Sequence, residues 1–100
     1  MILEIAPLQV RAGHGAEFEA AFHQAQDIIA SMPGYLSHEL VRCLEREDHY
    51  VLLVRWRRLE DHLIGFRQSR EYGKWRDLLH QFYDPFPTVL HYAVVEGLAR

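Results

Sequence analysis

The segment Tyr50-Val51-Leu52-Leu53-Val54 is apolar at five consecutive positions, so as a strand it turns water-averse side chains to both faces of its sheet. One layer of helices covers only one of those faces. The chain has 100 residues, enough for a single domain (1–100) and a single core. The second cover is therefore expected from a second copy of the chain, and a homodimer follows from this strand alone.

The elements around that strand complete the pattern. Ile2 to Val10 reads as a strand broken by the segment Arg11 to Gly15. A helix is expected next, because Phe18, Ala21, Phe22, Ala25, Ile28, Ile29 and Met32 recur at steps of three and four, with Pro33-Gly34 as its stop. Tyr35 to Leu44 and Tyr50 to Trp56 read as a hairpin across the polar turn at 45–49. Leu59 to Gln68 predicts a short helix, and Ser69 caps a second that runs to Phe82 before Asp84-Pro85-Phe86-Pro87. Thr88 to Glu96 is the last strand. The order βαββαβ with right-handed crossovers gives an α+β, ferredoxin-like fold: a four-stranded antiparallel sheet in the order 4-1-3-2, helices on one face. Two open sheet faces laid together form a dimeric α/β barrel.

Composition removes several function classes. A net charge of −3 with interspersed signs leaves no basic footprint for nucleic acid. No run of about eighteen apolar residues and no charged-then-apolar leader is visible, so neither a membrane span nor a secretion signal is expected, and a cytoplasmic location is. Cys43 is alone, which excludes an internal disulfide framework. The seven histidines never fall at the three-to-five-residue spacing of a helical metal site, and Gly13-His14-Gly15 lacks the Gly-Lys-Ser/Thr of a phosphate loop. No metal, nucleotide or other cofactor is expected.

The chemistry concentrates between Leu59 and Phe82. Helical spacing puts His62 and Phe66 on one face, and Tyr72, Trp75 and Leu79 on another. Rings with a few titratable groups suit a pocket for a flat organic molecule, although the same aromatics also serve as plain core.

The opening Ile5-Ala-Pro-Leu-Gln-Val-Arg-Ala-Gly, the Pro33-Gly34-Tyr35 turn, the strand end Val54-Arg55-Trp56 and the following Leu59-Glu-Asp-His62 resemble the antibiotic biosynthesis monooxygenase family of dimeric α/β barrels. The resemblance implies a homodimer with a cavity in each subunit between sheet and helices. It also implies a choice among cofactor-free oxygenation of aromatic polyketides or quinols, haem degradation and isomerisation of a small keto compound, while the aromatic pocket by itself suits non-enzymatic binding of a hydrophobic metabolite equally well. The haem-degrading members carry an Asn, a Trp and a His where this chain has Ala6, Phe66 and Arg76, and an arginine cannot ligate haem iron.

A cofactor-free oxygenase needs a ring-shaped cavity, a proton acceptor and a group that stabilises the resulting phenolate. The substrate itself passes an electron to O2. His62 is the first candidate acceptor, with His80, His91 and His38 behind it. Arg67 and Arg76 are candidates for holding the phenolate, and Phe22, Phe66, Tyr72 and Trp75 for the walls. The leading expectation is a cofactor-independent monooxygenase acting with O2 on a small aromatic, quinol or polyketide-like compound.

Overall fold

The computed structural model describes residues 1–100. Strand β1 (Ile2–Gln9) is followed by helix α1 (Gly15–Ala30), the hairpin β2 (Tyr35–Arg42) and β3 (His49–Trp56), a π-helical turn at Asp61–Phe66, helix α2 (Arg70–Leu79), a 3-10 turn at His80–Phe82, and β4 (Leu90–Tyr92). The sheet order is β2-β3-β1-β4, and every pairing is antiparallel. This is the ferredoxin-like α+β arrangement, with the sheet open rather than closed on itself.

The two faces of the sheet are set by register. On β1, Glu4, Ala6 and Leu8 point to the helices, as does Val10 just after it, and on β3 Tyr50, Leu52, Val54 and Trp56 do the same. Helix α1 lays Phe18, Phe22, Ala25 and Ile29 onto that surface, and Phe66, Trp75 and Leu79 close the core over β1. The opposite face has no cover within the chain. Leu3, Ile5, Val51 and Leu53 are half-buried there, and Leu90 and Tyr92 are exposed.

Three expectations are corrected in detail. The helix expected over 59–68 is instead a π-helical turn, in which the Arg67 amide reaches five residues back to the His62 carbonyl at 3.0 Å. Helix α2 does start at the Ser69 cap, whose hydroxyl accepts from the Tyr72 amide at 3.1 Å, but it ends at Leu79 and tightens into the 3-10 turn. The last strand covers only Leu90–Tyr92, which pair with Leu3–Ile5 of β1.

The turn before β2 is locked to the π-helical turn. Gly34 has φ +84°, a conformation that L side chains rarely adopt, and its carbonyl accepts from the Arg57 amide at 2.7 Å. A Cβ on Gly34 would lie 2.7 Å from the Cβ of Asp61, whose carboxylate accepts from the Arg58 amide at 3.1 Å. Asp61 begins the turn that carries His62, so this contact aims the site. Gly34→Ala should cost about 1–3 kcal/mol through strain and clash. A urea midpoint equal to that of the parent would show that Asp61 moves aside freely.

Candidate active site

A cavity of about 350 Å³ lies between the helix-facing side of β1 and β3 and the layer formed by the π-helical turn and α2. Its floor is Glu4, Ala6, Leu8 and Leu52; its walls include Phe66, Tyr72, Trp75 and Tyr83; Arg67 and His80 are its cationic and titratable edge. Phe66 meets Tyr72 edge-on at 5.2 Å and Trp75 at 5.6 Å, so three rings form a fixed corner.

The π-helical turn explains why His62, Phe66 and Arg67 reach this cavity together. In an α-helix residues five apart point about 140° away from each other at 3.6 residues per turn. The wider turn brings His62 and Arg67 to the same side, and both line the cavity. His62 is almost fully buried and stacks on the Trp56 ring at 5.3 Å and 22°.

Glu4 is the polar centre of the site, and sequence reasoning missed it. It is 4% exposed, and its Oε1 accepts from the Trp56 indole N–H at 2.9 Å. The His62 Nε2 lies 3.4 Å from the same oxygen, and the His62 Nδ1 is 2.7 Å from the Nε2 of His91. Glu4 lines the cavity, and its Oε2 has no hydrogen-bond partner within the chain and is not fully buried. The signal was present in the alternation of β1: Glu4 shares the parity of Ala6, Leu8 and Val10, which places a carboxyl on the core face.

Protonation follows from burial. Desolvation raises the Glu4 pKa to about 7, against the smaller opposing effects of the Trp56 hydrogen bond and the Arg67 charge. Desolvation pushes His62 down to about 3, aided by Arg67 and His91, and burial also lowers His91 and His80. His62 is thus neutral near pH 7, and its contact with Glu4 is not an ion pair. Glu4 is the group poised to take up and release a proton there.

The other sequence candidates divide. His91 touches His62 from the β4 side and does not line the cavity. His80, expected to face partly away, lines the cavity because α2 stops at Leu79 and the tighter turn re-aims it. Phe22, Arg76 and His38 are elsewhere. Phe22 is core on α1, edge-on behind Trp75 at 5.7 Å. Arg76 follows the buried Trp75 by one residue, so the helix turns it outward to Asp77 at 3.4 Å. His38 is on β2, the far edge of the sheet, where its Nδ1 meets the Tyr35 hydroxyl and its Nε2 lies 3.0 Å from Gln26 Oε1.

Residues 1–78 match the model of the antibiotic biosynthesis monooxygenase family. The chain belongs to that family. It is 52% identical over 92 residues to YczJ of Bacillus subtilis, an uncharacterised protein, covering 92% of this chain and 97% of that one. A mycobilin-producing haem oxygenase of Mycobacterium tuberculosis is 29% identical over 55 residues, 55% of this chain and 52% of that one. Among solved structures, a candidate antibiotic biosynthesis monooxygenase of Bordetella bronchiseptica superposes with a TM-score of 0.90 at 34% identity, covering 94% of this chain and 96% of that one. SnoaB, a cofactor-independent oxygenase of Streptomyces nogalater, superposes at 0.84 with 18% identity over 99% and 97% of the two chains, a likeness of fold.

The Glu4 environment makes stability depend on pH in a defined direction. Folding raises the Glu4 pKa from 4.5 to about 7, so its contribution favours the folded chain below pH 4.5 and is lost as the pH rises through 7. His62 acts in the opposite sense between about 3 and 6.5 and masks part of that loss. The difference in stability between Glu4→Gln and the parent isolates Glu4: it should shift in favour of the variant by on the order of 2–3 kcal/mol between pH 4.5 and 8. A difference independent of pH in urea titrations would show that Glu4 titrates as an ordinary carboxyl.

Proposed function

We propose that this protein is a cofactor-independent monooxygenase that oxidises a small aromatic bearing an acidic hydroxyl, such as a hydroquinone, naphthol or anthrone. The observation that carries this reading is the Glu4 carboxyl at the floor of an aromatic cavity, one oxygen held by Trp56 and the other free. A carboxyl whose pKa lies near 7 accepts a proton from such a hydroxyl far more readily than an ordinary surface glutamate does. Glu4 thereby takes the acceptor role that the sequence alone gave to His62.

Proton transfer from the substrate hydroxyl to Glu4 Oε2 leaves an electron-rich anion. Arg67 at the cavity edge stabilises that charge. The anion passes one electron to O2, the two radicals combine at ring carbon, and the hydroperoxide loses water to leave a carbonyl. One oxygen atom ends in product and one in water, and the substrate loses two hydrogens. Phe66, Trp75 and Tyr72 hold the ring in one plane, and the rest of the redox chemistry is the substrate's own. Family membership and the fold of SnoaB support the reaction class.

We place a second copy of the chain over the open sheet face. Leu3, Ile5, Val51, Leu53, Leu90 and Tyr92 form an apolar surface there that a monomer would leave in water, and the exposed Val94, Val95 and Leu98 follow directly after β4. Leu53→Glu, at the centre of this face, should convert a dimer to monomers in sedimentation velocity. A monomeric parent at micromolar concentration would remove the second copy.

The deciding experiment is oxygen uptake by chelator-treated protein against hydroquinones, dihydroxynaphthalenes and anthrones. Uptake should exceed autoxidation, and Glu4→Gln should lower kcat by about 10²–10⁴-fold without lowering the melting temperature. No uptake across the panel, with binding of the same compounds retained, would make the chain a carrier of hydrophobic metabolites. Stoichiometric haemin binding with a Soret shift lost in His80→Ala would move it to the haem-degrading branch.

A further inference from the structure

Glu4, His62 and His91 stand in a row that begins in the cavity and ends at the edge of the sheet. His91 is paired with Glu4 in the β1–β4 register, on the edge strand, and is half-buried. Its Nε2 is engaged by His62, while its Nδ1 has no protein partner and is not among the buried polar atoms, so that nitrogen reaches the outside. Glu4 lines the cavity, and its Oε2 is likewise unpaired and not fully buried. His62 contacts both Glu4 and His91, linking the two cross-strand neighbours, and no group of three ligating side chains converges there as a metal site would.

We infer that this row is a proton path connecting the cavity floor with the outside, His62 being the relay and His91 the outlet. The inference rests on the proton-accepting role given to Glu4 above. Two proton arrangements fit once the 3.4 Å contact between Glu4 and His62 tightens into a hydrogen bond. In one, the Glu4 carboxyl, having turned to bring the proton taken on the cavity side round to His62, donates to His62 Nε2 and the His62 Nδ1–H donates to His91. In the other, a Glu4 carboxylate accepts from His62 Nε2–H and His62 Nδ1 accepts from His91 Nε2–H. Passing from the first to the second moves one proton from the carboxyl to His62 Nε2 and one from His62 Nδ1 to His91 Nε2. His91 then releases its Nδ1 proton to solvent, so charge and proton count balance. The reverse sequence delivers the proton that the peroxide needs when it collapses to water.

The arrangement matters once a substrate fills the cavity. Glu4 is then shut off from the mouth, and a buried acid without an exit exchanges its proton only as fast as the ligand leaves. Imidazole suits the relay because each of its two nitrogens can either give or accept, which no amide side chain can do. Trp56 stays outside the path, since an indole N–H only donates. The charged and titratable groups facing Glu4 are His62 and Arg67 from the π-helical turn, His91 from β4 and Tyr83 after the 3-10 turn.

The path predicts a coupled tautomer switch that can be read without any oxygenase activity. In nitrogen-15 imidazole spectra of the full chain, His62 should change from the Nδ1–H to the Nε2–H form in step with the titration of Glu4. In His91→Gln the amide can turn either its oxygen or its NH2 to His62 Nδ1, so the switch should persist at equilibrium while proton transfer to solvent is blocked. A single His62 tautomer throughout the Glu4 titration of the parent protein would overturn the path. The kinetic arm uses 4-nitrophenol, whose ionisation on binding is visible, and a pH dye in stopped flow. Proton appearance in solvent should slow at least tenfold in His91→Gln and His91→Phe and recover with added imidazole, while nitrophenol affinity stays within twofold. Release as fast as in the parent would mean that the proton leaves by the mouth, which also overturns the path. Failure of the parent to ionise nitrophenol would overturn Glu4 as the acceptor, and the tautomer switch would still decide the path by itself.

Discussion

The hydrogen bond from the Trp56 indole to Glu4 is the contact on which the site is organised. A carboxyl on the core face of a sheet carries a desolvation cost, and this one is offset in part by an N–H donated from the neighbouring strand at 2.9 Å. The bond ties the start of β1 to the end of β3, where Ile2 stands opposite Trp56. It therefore holds register as well as charge. A slip of one residue would turn Glu4, Ala6 and Leu8 to the open face and bring Leu3 and Ile5 into the core.

His62 depends on the same contact. The Trp56 ring is the surface on which the imidazole stacks, and Phe66 packs beside it at 5.9 Å. The π-helical turn supplies the geometry, because only the wider spiral lets His62 and Arg67 share a side. Two features of this small region set the electrostatics: burial, which keeps both imidazoles neutral and Glu4 close to half-ionised, and Arg67, whose charge favours the anion at Glu4.

Periodicity made the layers legible and left the local departures from it hidden. The apolar run of β3, the three-and-four spacing of α1, the Pro33-Gly34 stop and the Ser69 cap each corresponded to a real element. The aromatic corner of Phe66, Tyr72 and Trp75 was readable because those residues are close in sequence. Phe22 belonged to the same apolar pattern as true core residues, and nothing in a helical stripe distinguishes a cavity wall from the side chain behind it. Arg76 and His38 were named for their chemistry, but one helical step from Trp75 turns Arg76 to solvent, and β2 lies at the sheet edge remote from the cavity. The π-helical turn has no periodic signature over six residues, so the nearness of Arg67 to His62 was not derivable from α-helical spacing. The length of β4 is set by how far its pairing with β1 extends, which β-propensity does not show.

Glu4 also bears on the choice between an enzyme and a passive carrier. A raised carboxyl pKa means that the folded state works against the charged form, at roughly 1.4 kcal/mol for each tenfold gain in proton affinity. A cavity meant only to shelter an apolar ring would be served as well by glutamine at that position, whose amide oxygen can accept the same Trp56 N–H without a titratable group. The same carboxyl becomes useful once a proton has to leave a bound hydroxyl near neutral pH, because its affinity for that proton is then matched to the task. Two further groups stand behind it at a cost of the same kind: His62 is buried against Glu4 although burial disfavours its charged form, and His91 is held at 2.7 Å from His62. The proposed acid–base role at the cavity floor would account for all three together.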